Sequence, residues 1–287
     1  MGRILDQASN TVDPLEGREF ELTNDDFKFI QWFIHKNVGI FLSDKKKAMV
    51  YGRISRLLRE HDLQRFSQYR EIIEADDNEK INFINNITTN KTHFFREMHH
   101  FDYVTRVLVP RWQNKSGKKV RIWSAGCSTG EEPYSYMSLL ATLGLLDNGM
   151  DIRLLASDLD TKVLAHARKG VYPEKSLESI PEQFLKSSFV KGKGVQSGNI
   201  KVKEKLQQHI TFNQLNLLAE WPIKQKFDLI SCRNVMIYFD KPTQETLIRR
   251  FYEHLTDDGV LFIGHSESVG NCTDIFRHIG HTIYFKQ

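Results

Sequence analysis

Cysteine is scarce: Cys127, Cys232 and Cys272 are the three in 287 residues, and no two form a C-x-x-C pair. An odd, sparse count of this kind excludes a disulfide framework and a zinc ribbon. Proline numbers 7 and glycine 17, too few for collagen-like or Pro-rich material. Long hydrophobic runs are missing too. The longest mostly apolar stretch, Met137 to Leu146, falls far short of the ~20 residues a bilayer span requires. The first residues, MGRILDQASN, lack the apolar centre of a secretory signal. A cytoplasmic protein with no membrane insertion is therefore expected. No RNP motif, zinc finger or other nucleic-acid signature is present, and no nucleic-acid partner is expected.

What is present is ordinary globular material. Hydrophobic residues make up 40% and charged residues 26%, which excludes disorder as the overall state. The length suits one large domain or two modest ones. Charge is uneven. Of a net +4, the segment Asp44 to Arg70 carries +5 and the remainder −1. A basic island on a near-neutral body suits an anionic docking surface, although a solvated helix face has the same composition.

The front of the chain reads as helices. Thr23 with Asp26 three residues on forms a capping box, and Phe27, Ile30, Phe33 and Ile34 follow at helical spacing. Over Lys45 to Arg59, Val50, Ile54, Leu57 and Leu58 share one face. Arg53, Arg56 and Arg59 fall elsewhere and are expected to point outward. Phe66 to Glu74 and Glu79 to Ile87 read as two more helices. Residues 20–90 are expected to form a small helical domain, preceded by a flexible extension over 1–19.

From Val120 the pattern changes to strands alternating with helices. VRIWSA, DIRLLASDLD, FDLISCRN, GVLFIGHSES and HTIYF read as strands. Glu131 to Leu146 and PTQETLIRRFYEHL read as helices, with Gly259 as the stop of the second. This alternation predicts an α/β domain over 91–287 with a largely parallel, doubly wound sheet. Its ligand is expected outside the carboxyl ends of the strands. Between Gly170 and Phe212, KGKGVQSGN bracketed by SSFV and IKVK predicts a hairpin in a small β insertion over about 172–212.

The candidate chemistry gathers at the same sheet edge. Gly126 and Gly130 flank the turn after the first strand and allow close backbone approach to a ligand. Asp158 ends the second strand, where an acid accepts hydrogen bonds from a ribose diol; a helix N-cap is the alternative. It stands 32 residues beyond Gly126, against the ~20 of a dinucleotide fingerprint, which argues against an ordinary NAD enzyme. Asn216 and Leu217 precede the strand FDLISC, and Arg233 and Asn234 follow it. Arg96 precedes the α/β body; an arginine at a small-molecule site grips carboxylate or phosphate, and elsewhere is a surface cation. Other groups fail. His99 and His100 are adjacent and are expected to diverge, without H-E-x-x-H spacing. His265, Ser266 and Glu267 have hydrolase letters but no G-x-S-x-G elbow. Glu131 and Glu132 diverge as helix neighbours. Cys127 and Cys232 read as small buried hydrophobes, and Phe94 and Phe95 as core contacts. No metal site is expected.

The strings TTNKTHFFRE, IWSAGCSTGEEPYS, LLASDLD, LNLL, CRNVMIYF and LFIGHSES, in this order, closely resemble the bacterial chemotaxis receptor methyltransferases, the CheR family. The resemblance runs from about Phe20 to Phe285. It implies an all-helical N-terminal domain and a Rossmann-like S-adenosylmethionine methyltransferase domain with an inserted β-subdomain. It implies methyl transfer from S-adenosylmethionine to glutamate side chains on the cytoplasmic helices of chemoreceptors, by a monomer recruited to receptor arrays. Carried over by motif, the cofactor contacts are Asn90, Thr92, Arg96, Glu132, Asp158, Asn216, Leu217, Arg233 and Asn234. Arg96 and Tyr238 stand at the reacting methyl, and Arg53, Arg56 and Arg59 on the receptor-recognition surface. Gly126 replaces a common alanine or cysteine of the family loop, a change expected only to loosen the turn. The turn Gly192-Lys193-Gly194 resembles that of members that add a receptor C-terminal peptide to the β-subdomain as an extra strand. Two rivals stand beside this reading: a methyltransferase of another substrate class, and a non-catalytic cofactor-sensing adaptor that binds receptors. An N-P-P-Y-type motif for amino methylation is missing, against the first, and Arg96 and Tyr238 are present, against the second.

Overall fold

The computed structural model describes residues 18–88 and 91–287. Asn90 and all but the last two residues of the expected N-terminal extension lie outside the described residues. The chain divides into two compact units, one within residues 1–37 and 41–87, the other comprising 38–40 and 88–287.

Among the described residues, the front of the chain holds four α-helices: α1 (Asn24–Val38), α2 (Lys47–Glu60), α3 (Phe66–Ala75) and α4 (Asp77–Ile87). The capping box forms as the sequence predicts. The Thr23 N–H donates to Asp26 at 2.9 Å, and the Asp26 N–H donates to the Thr23 hydroxyl at 3.1 Å. Phe27, Ile30, Phe33 and Ile34 are buried, as are Val50, Ile54, Leu57 and Leu58 on α2. Each such side chain contributes about 1.5–3 kcal/mol on burial. Phe33, Phe66 and Tyr69 close around Phe83, with ring centroids 5.6, 6.1 and 6.0 Å away.

One arginine departs from the expected outward face. Arg53 is half-buried, and its guanidinium donates to the Asn86 and Ile87 carbonyls at the end of α4. The last carbonyls of a helix have no partner of their own and carry partial negative charge, so a cation there closes the helix. Arg56 and Arg59 do face solvent. Arg56 donates to Glu60 at 2.9 Å and Arg59 to Glu19 at 3.0 Å.

Among the described residues of the second unit, ten strands form two sheets. They are β1 (Lys119–Ala125), β2 (Asp151–Asp158), β3 (Val171–Pro173), β4 (Phe189–Lys191), β5 (Asn199–Val202), β6 (Ile210–Gln214), β7 (Phe227–Cys232), β8 (Leu255–Ile263), β9 (Phe276–Gly280) and β10 (Ile283–Lys286). The helices are α5 (Met98–Tyr103), α6 (Val109–Gln113), α7 (Glu131–Thr142), α8 (Thr161–Lys169), α9 (Glu182–Ser188), α10 (Glu204–Gln207) and α11 (Lys241–His254). The main sheet runs β6-β2-β1-β7-β8-β10-β9; its first five strands are parallel, and β10 is antiparallel to both neighbours. Strand order reverses between β1 and β7, the switch point where doubly wound sheets bind ligands. Both faces are covered. Val120 and Ile122 point into a core shared with α7 and α8, while Trp123 and Ala125 point into another with Leu247, Ile248 and Phe251 of α11.

The small sheet, β3-β5-β4, is antiparallel and contains the expected hairpin, with Phe189 opposite Val202 and Lys191 opposite Ile200. Three details differ from the sequence reading. Residues 210–212, which the sequence pattern places in the insertion, begin β6 at the edge of the main sheet. β6 and β9 are strands the pattern does not show, because edge strands bury little: Phe212 and Phe276 are their buried side chains. Gly259 lies inside β8, not at a helix stop; α11 ends at His254. Among the described residues, no helix is long and apolar enough to cross a membrane.

Candidate functional site

The five parallel strands bring their carboxyl ends to one rim. The Gly126–Gly130 turn follows β1, Asp158 ends β2, Asn216 and Leu217 follow β6, Arg233 and Asn234 follow β7, and Gly264 to Glu267 follow β8. Sequence separation of up to about 140 residues collapses here into one edge.

The turn after β1 explains its own glycines. Gly126 has φ +85, and a Cβ there would stand 2.3 Å from a Val235 methyl carbon. Gly130 has φ +98, and its Cβ would meet Ala167 at 2.8 Å and the Tyr172 hydroxyl at 2.9 Å. Both are required by backbone sign and by protein neighbours, so Gly126 does not loosen the turn but permits its shape. The Gly126 and Cys127 N–H groups donate to the Ser157 carbonyl at 2.8 and 2.9 Å.

Asp158 closes the turn from the other side. Its carboxylate accepts from the Ser128 N–H at 2.8 Å and the Asp160 N–H at 3.0 Å. The cap of α8 is Asp160, which accepts from Lys162 and Val163; the alternative of Asp158 as N-cap is thereby set aside. Burial raises the Asp158 pKa, with the N–H donors pulling the other way. An ionised carboxylate accepts only and has about four lone-pair sites, so beside these N–H donors it is the acceptor that the hydroxyls of a vicinal diol require.

Arg233 is the centre of a buried charge network. Its guanidinium donates to Glu132 at 2.8 Å, to Glu97 at 3.3 Å and to the Arg96 carbonyl. The Arg233 side chain is only 3% exposed, and two carboxylates and a carbonyl accept from all three of its nitrogens. Glu132 also accepts from the Ser124 hydroxyl at 2.7 Å. Burial would raise the Glu97 pKa, yet the Arg233 charge and two hydrogen bonds from His265 bring it to about 2. Sequence reading placed Glu132 and Arg233 at the site but missed Glu97 and His265, whose partners are more than 130 residues away.

Arg96 sits between two residues in left-handed backbone, Phe95 at φ +53 and Glu97 at φ +58. Such conformations are costly for residues other than glycine and persist only where neighbours impose them. The neighbours are plain. The Phe95 ring stacks on Phe184 at 4.5 Å, its N–H donates to the Ser135 hydroxyl at 2.9 Å, and Glu97 is held by Arg233. Phe94 packs edge-on to Tyr172 and Phe189. Both phenylalanines are core contacts as expected, and together they anchor the backbone that leads into Arg96. The Arg96 guanidinium is half-buried and donates to the Lys91 carbonyl at 3.1 Å.

The remaining candidates differ in burial. Thr92, Asn216 and Tyr238 are half-buried and Leu217 is buried. The Asn216 side chain accepts from the Leu218 N–H at 2.9 Å, and the Leu217 carbonyl accepts from Arg250 at 2.8 Å. Arg53, Arg56 and Arg59 belong to the first unit. His99 and His100 do not diverge; their ring centroids are 4.2 Å apart. With Glu97 they bring ligand atoms within 4.8 Å of one another, but Glu97 already faces the Arg233 cation, which would repel a second positive charge. Cys127 and Cys232 are buried thiols, as expected, and so is Cys272.

Comparison with known proteins agrees with this geometry. Residues 90–285 match the family model described as CheR methyltransferase, SAM binding domain, and residues 25–88 match CheR methyltransferase, all-alpha domain. The chain is 42% identical over 279 residues to chemotaxis protein methyltransferase 2 of Pseudomonas aeruginosa, covering 96% of this chain and 98% of that one. It is 42% identical over 267 residues to the chemotaxis protein methyltransferase of Escherichia coli, covering 92% and 91%. With the corresponding protein of Borreliella burgdorferi, identity is 38% over 257 residues, covering 86% and 89%.

Proposed function

The chain belongs to the CheR methyltransferase family, and we propose on that premise that it esterifies glutamate side chains on the cytoplasmic helices of bacterial chemoreceptors. Its coarser function, S-adenosylmethionine-dependent methylation in chemotaxis, follows from that membership. The observation that supports this reading is the rim itself: a carboxylate, Asp158, at the end of β2, a glycine turn of fixed shape, and Arg96 held between two left-handed residues.

The residues present fit the cofactor. Asp158, Asn216 and Leu217 would hold its nucleoside end, and Thr92, Arg96 and Glu132 its amino-acid end. Asn234 would complete the wall; Asn90 lies outside the described residues. Arg233 would hold Glu132 and the Arg96 carbonyl in place beside the ligand, with N–H donors beyond those three contacts for the cofactor itself. When bound, S-adenosylmethionine supplies an electrophilic methyl group whose leaving thioether is neutral.

A glutamate carboxylate is already ionised at neutral pH, so no general base is needed. What the chain's own residues must do is align. Effective molarities of aligned groups reach ~10⁵–10⁸ M, worth ~7–11 kcal/mol. Tyr238, a phenol and thus a donor at neutral pH, orients the incoming carboxylate, and the Arg96 charge steers it. Esterification removes one negative charge per event from the receptor helix, which lowers like-charge repulsion between packed helices. The exposed Arg56 and Arg59 suit an acidic helix surface. The free edges of β3 and β4 suit a receptor C-terminal peptide added as a strand, and the working form is a monomer in the cytoplasm at receptor arrays.

The test uses methyl-labelled cofactor, the protein and chemoreceptor membranes, followed by alkali. Glutamyl esters release volatile labelled methanol; methylated bases and amines do not. Label in receptor that alkali cannot release assigns another substrate class. No transferred label at all favours the adaptor.

A further inference from the structure

We propose that Glu267 is the positioning residue that holds the loop after β7, and through it Asn234 and Tyr238, in its working shape. The proposal rests on the reading of this rim as the methyl-transfer site. The loop needs outside support. Asn234 lies in left-handed backbone at φ +60, and the chain then turns through a three-residue 3-10 helix, Met236–Tyr238. The opening N–H groups of such a turn have no partners within it.

Glu267, from the segment after β8, supplies them. Its Oε2 accepts from the Asn234 N–H at 3.0 Å and the Gly264 N–H at 2.5 Å, and its Oε1 accepts from the Ile237 N–H at 3.1 Å. The Met236 N–H is also bound to this carboxylate. One side chain therefore gathers three N–H groups of the loop and one of its own strand's end. Hydrogen bonds of a charged acceptor are about twice as strong as neutral ones, which suits a clamp of this kind.

The loop is also pressed from two sides. A Cβ at Gly264 would stand 2.5 Å from the Asn234 amide nitrogen of the side chain and 2.8 Å from Glu267. Val235 packs so closely on Gly126 that a Cβ there would stand 2.3 Å from its methyl. The same short segment is tied to the Arg96 region, because the His265 N–H and ring both meet Glu97, at 3.3 and 3.0 Å. Letters that resemble a hydrolase motif thus join the two loops that carry Arg96 and Tyr238. Glu267 acts on the reaction through those loops and does not itself touch the reacting atoms.

Glu267→Gln keeps the shape but turns an amide donor toward N–H donors. Misplacement by about 1 Å costs on the order of 10²-fold in rate. The expected result is a kcat for receptor methylation lowered ~10–100-fold, with KM for receptor within about threefold of the parent. Amide hydrogen exchange at Asn234, Met236 and Ile237 should accelerate at least ~10-fold while β7 and β8 keep their protection. An unchanged kcat with that protection lost, or a loss of kcat matched by an equal loss of folded protein, would overturn the proposal. The parent provides an arm independent of any variant: its Asn234 and Ile237 amides should be protected well beyond open-loop rates, and unprotected amides would also overturn it. A parent that releases no methanol in the alkali assay would instead overturn the reading of the site, while the exchange data would still stand.

Discussion

Asp158 is where cofactor recognition reduces to a single carboxylate. It is no helix cap, and it stands at the carboxyl end of β2, on the rim. Hydrogen bonds to charged groups are worth ~1.5–3 kcal/mol, so Asp158→Ala should weaken S-adenosylhomocysteine binding about 10–150-fold. Titration calorimetry checks this, and an unchanged Kd would leave Asp158 a purely structural role. His100 makes a second residue-level prediction. It is fully buried and stacked on Phe262 at 4.5 Å, with the His281 carbonyl 3.2 Å and the Thr282 hydroxyl 3.3 Å from Nε2 and Glu97 3.5 Å from Nδ1. Burial, then the Arg233 and His99 charges, lower its pKa to about 3. The unfolded imidazole takes up a proton below about 6.5 while the folded one stays neutral. Stability is therefore lost as pH falls from 6.5 toward 3. His100→Phe, which keeps a ring on Phe262, should remove up to ~1.4 kcal/mol per pH unit of this slope between pH 6.5 and 4.5. Parallel stability curves for parent and variant would contradict it.

At the scale of elements, the basic helix α2 divides its arginines between two tasks. Arg53 closes the end of α4, whereas Arg56 and Arg59 face solvent. Arg53→Ala should cost about 1–2 kcal/mol of stability in denaturant unfolding, the range for a charge at a helix terminus with its hydrogen bonds. The pair Arg56→Ala and Arg59→Ala should leave stability within ~0.5 kcal/mol, because exposed ion pairs are worth little, and should raise KM for receptor while cofactor Kd stays the same. Equal receptor kinetics would remove the docking role. Sequence spacing separates buried from exposed faces of α2 but cannot show that Arg53 reaches a carbonyl 34 residues further on. The same limit explains the other misses. β6 and β9 are edge strands with little apolar pattern, and β8 begins at Leu255, before Gly259, where its register with β7 shifts between the Phe227–Leu255 and Leu229–Val260 pairs.

At the scale of the whole molecule, the alternation of strands and helices was legible from Val120 onward, and so was the rim to which ligands go. So were the strings that place the chain in its family. The network that makes the rim rigid was not legible. Arg233, Glu97, Glu132 and Glu267 act through pairings across 30 to 140 residues, and a sequence shows charges without showing who faces whom. The account therefore stands on where the cofactor sits. The most direct measurement is a crystal structure of the protein with S-adenosylhomocysteine bound. The account predicts the ribose on Asp158, the adenine beside Leu217 and the amino-acid end toward Arg96 and Glu132. Density for the ligand away from the carboxyl ends of β1, β2 and β7, with Asp158 untouched, would contradict it.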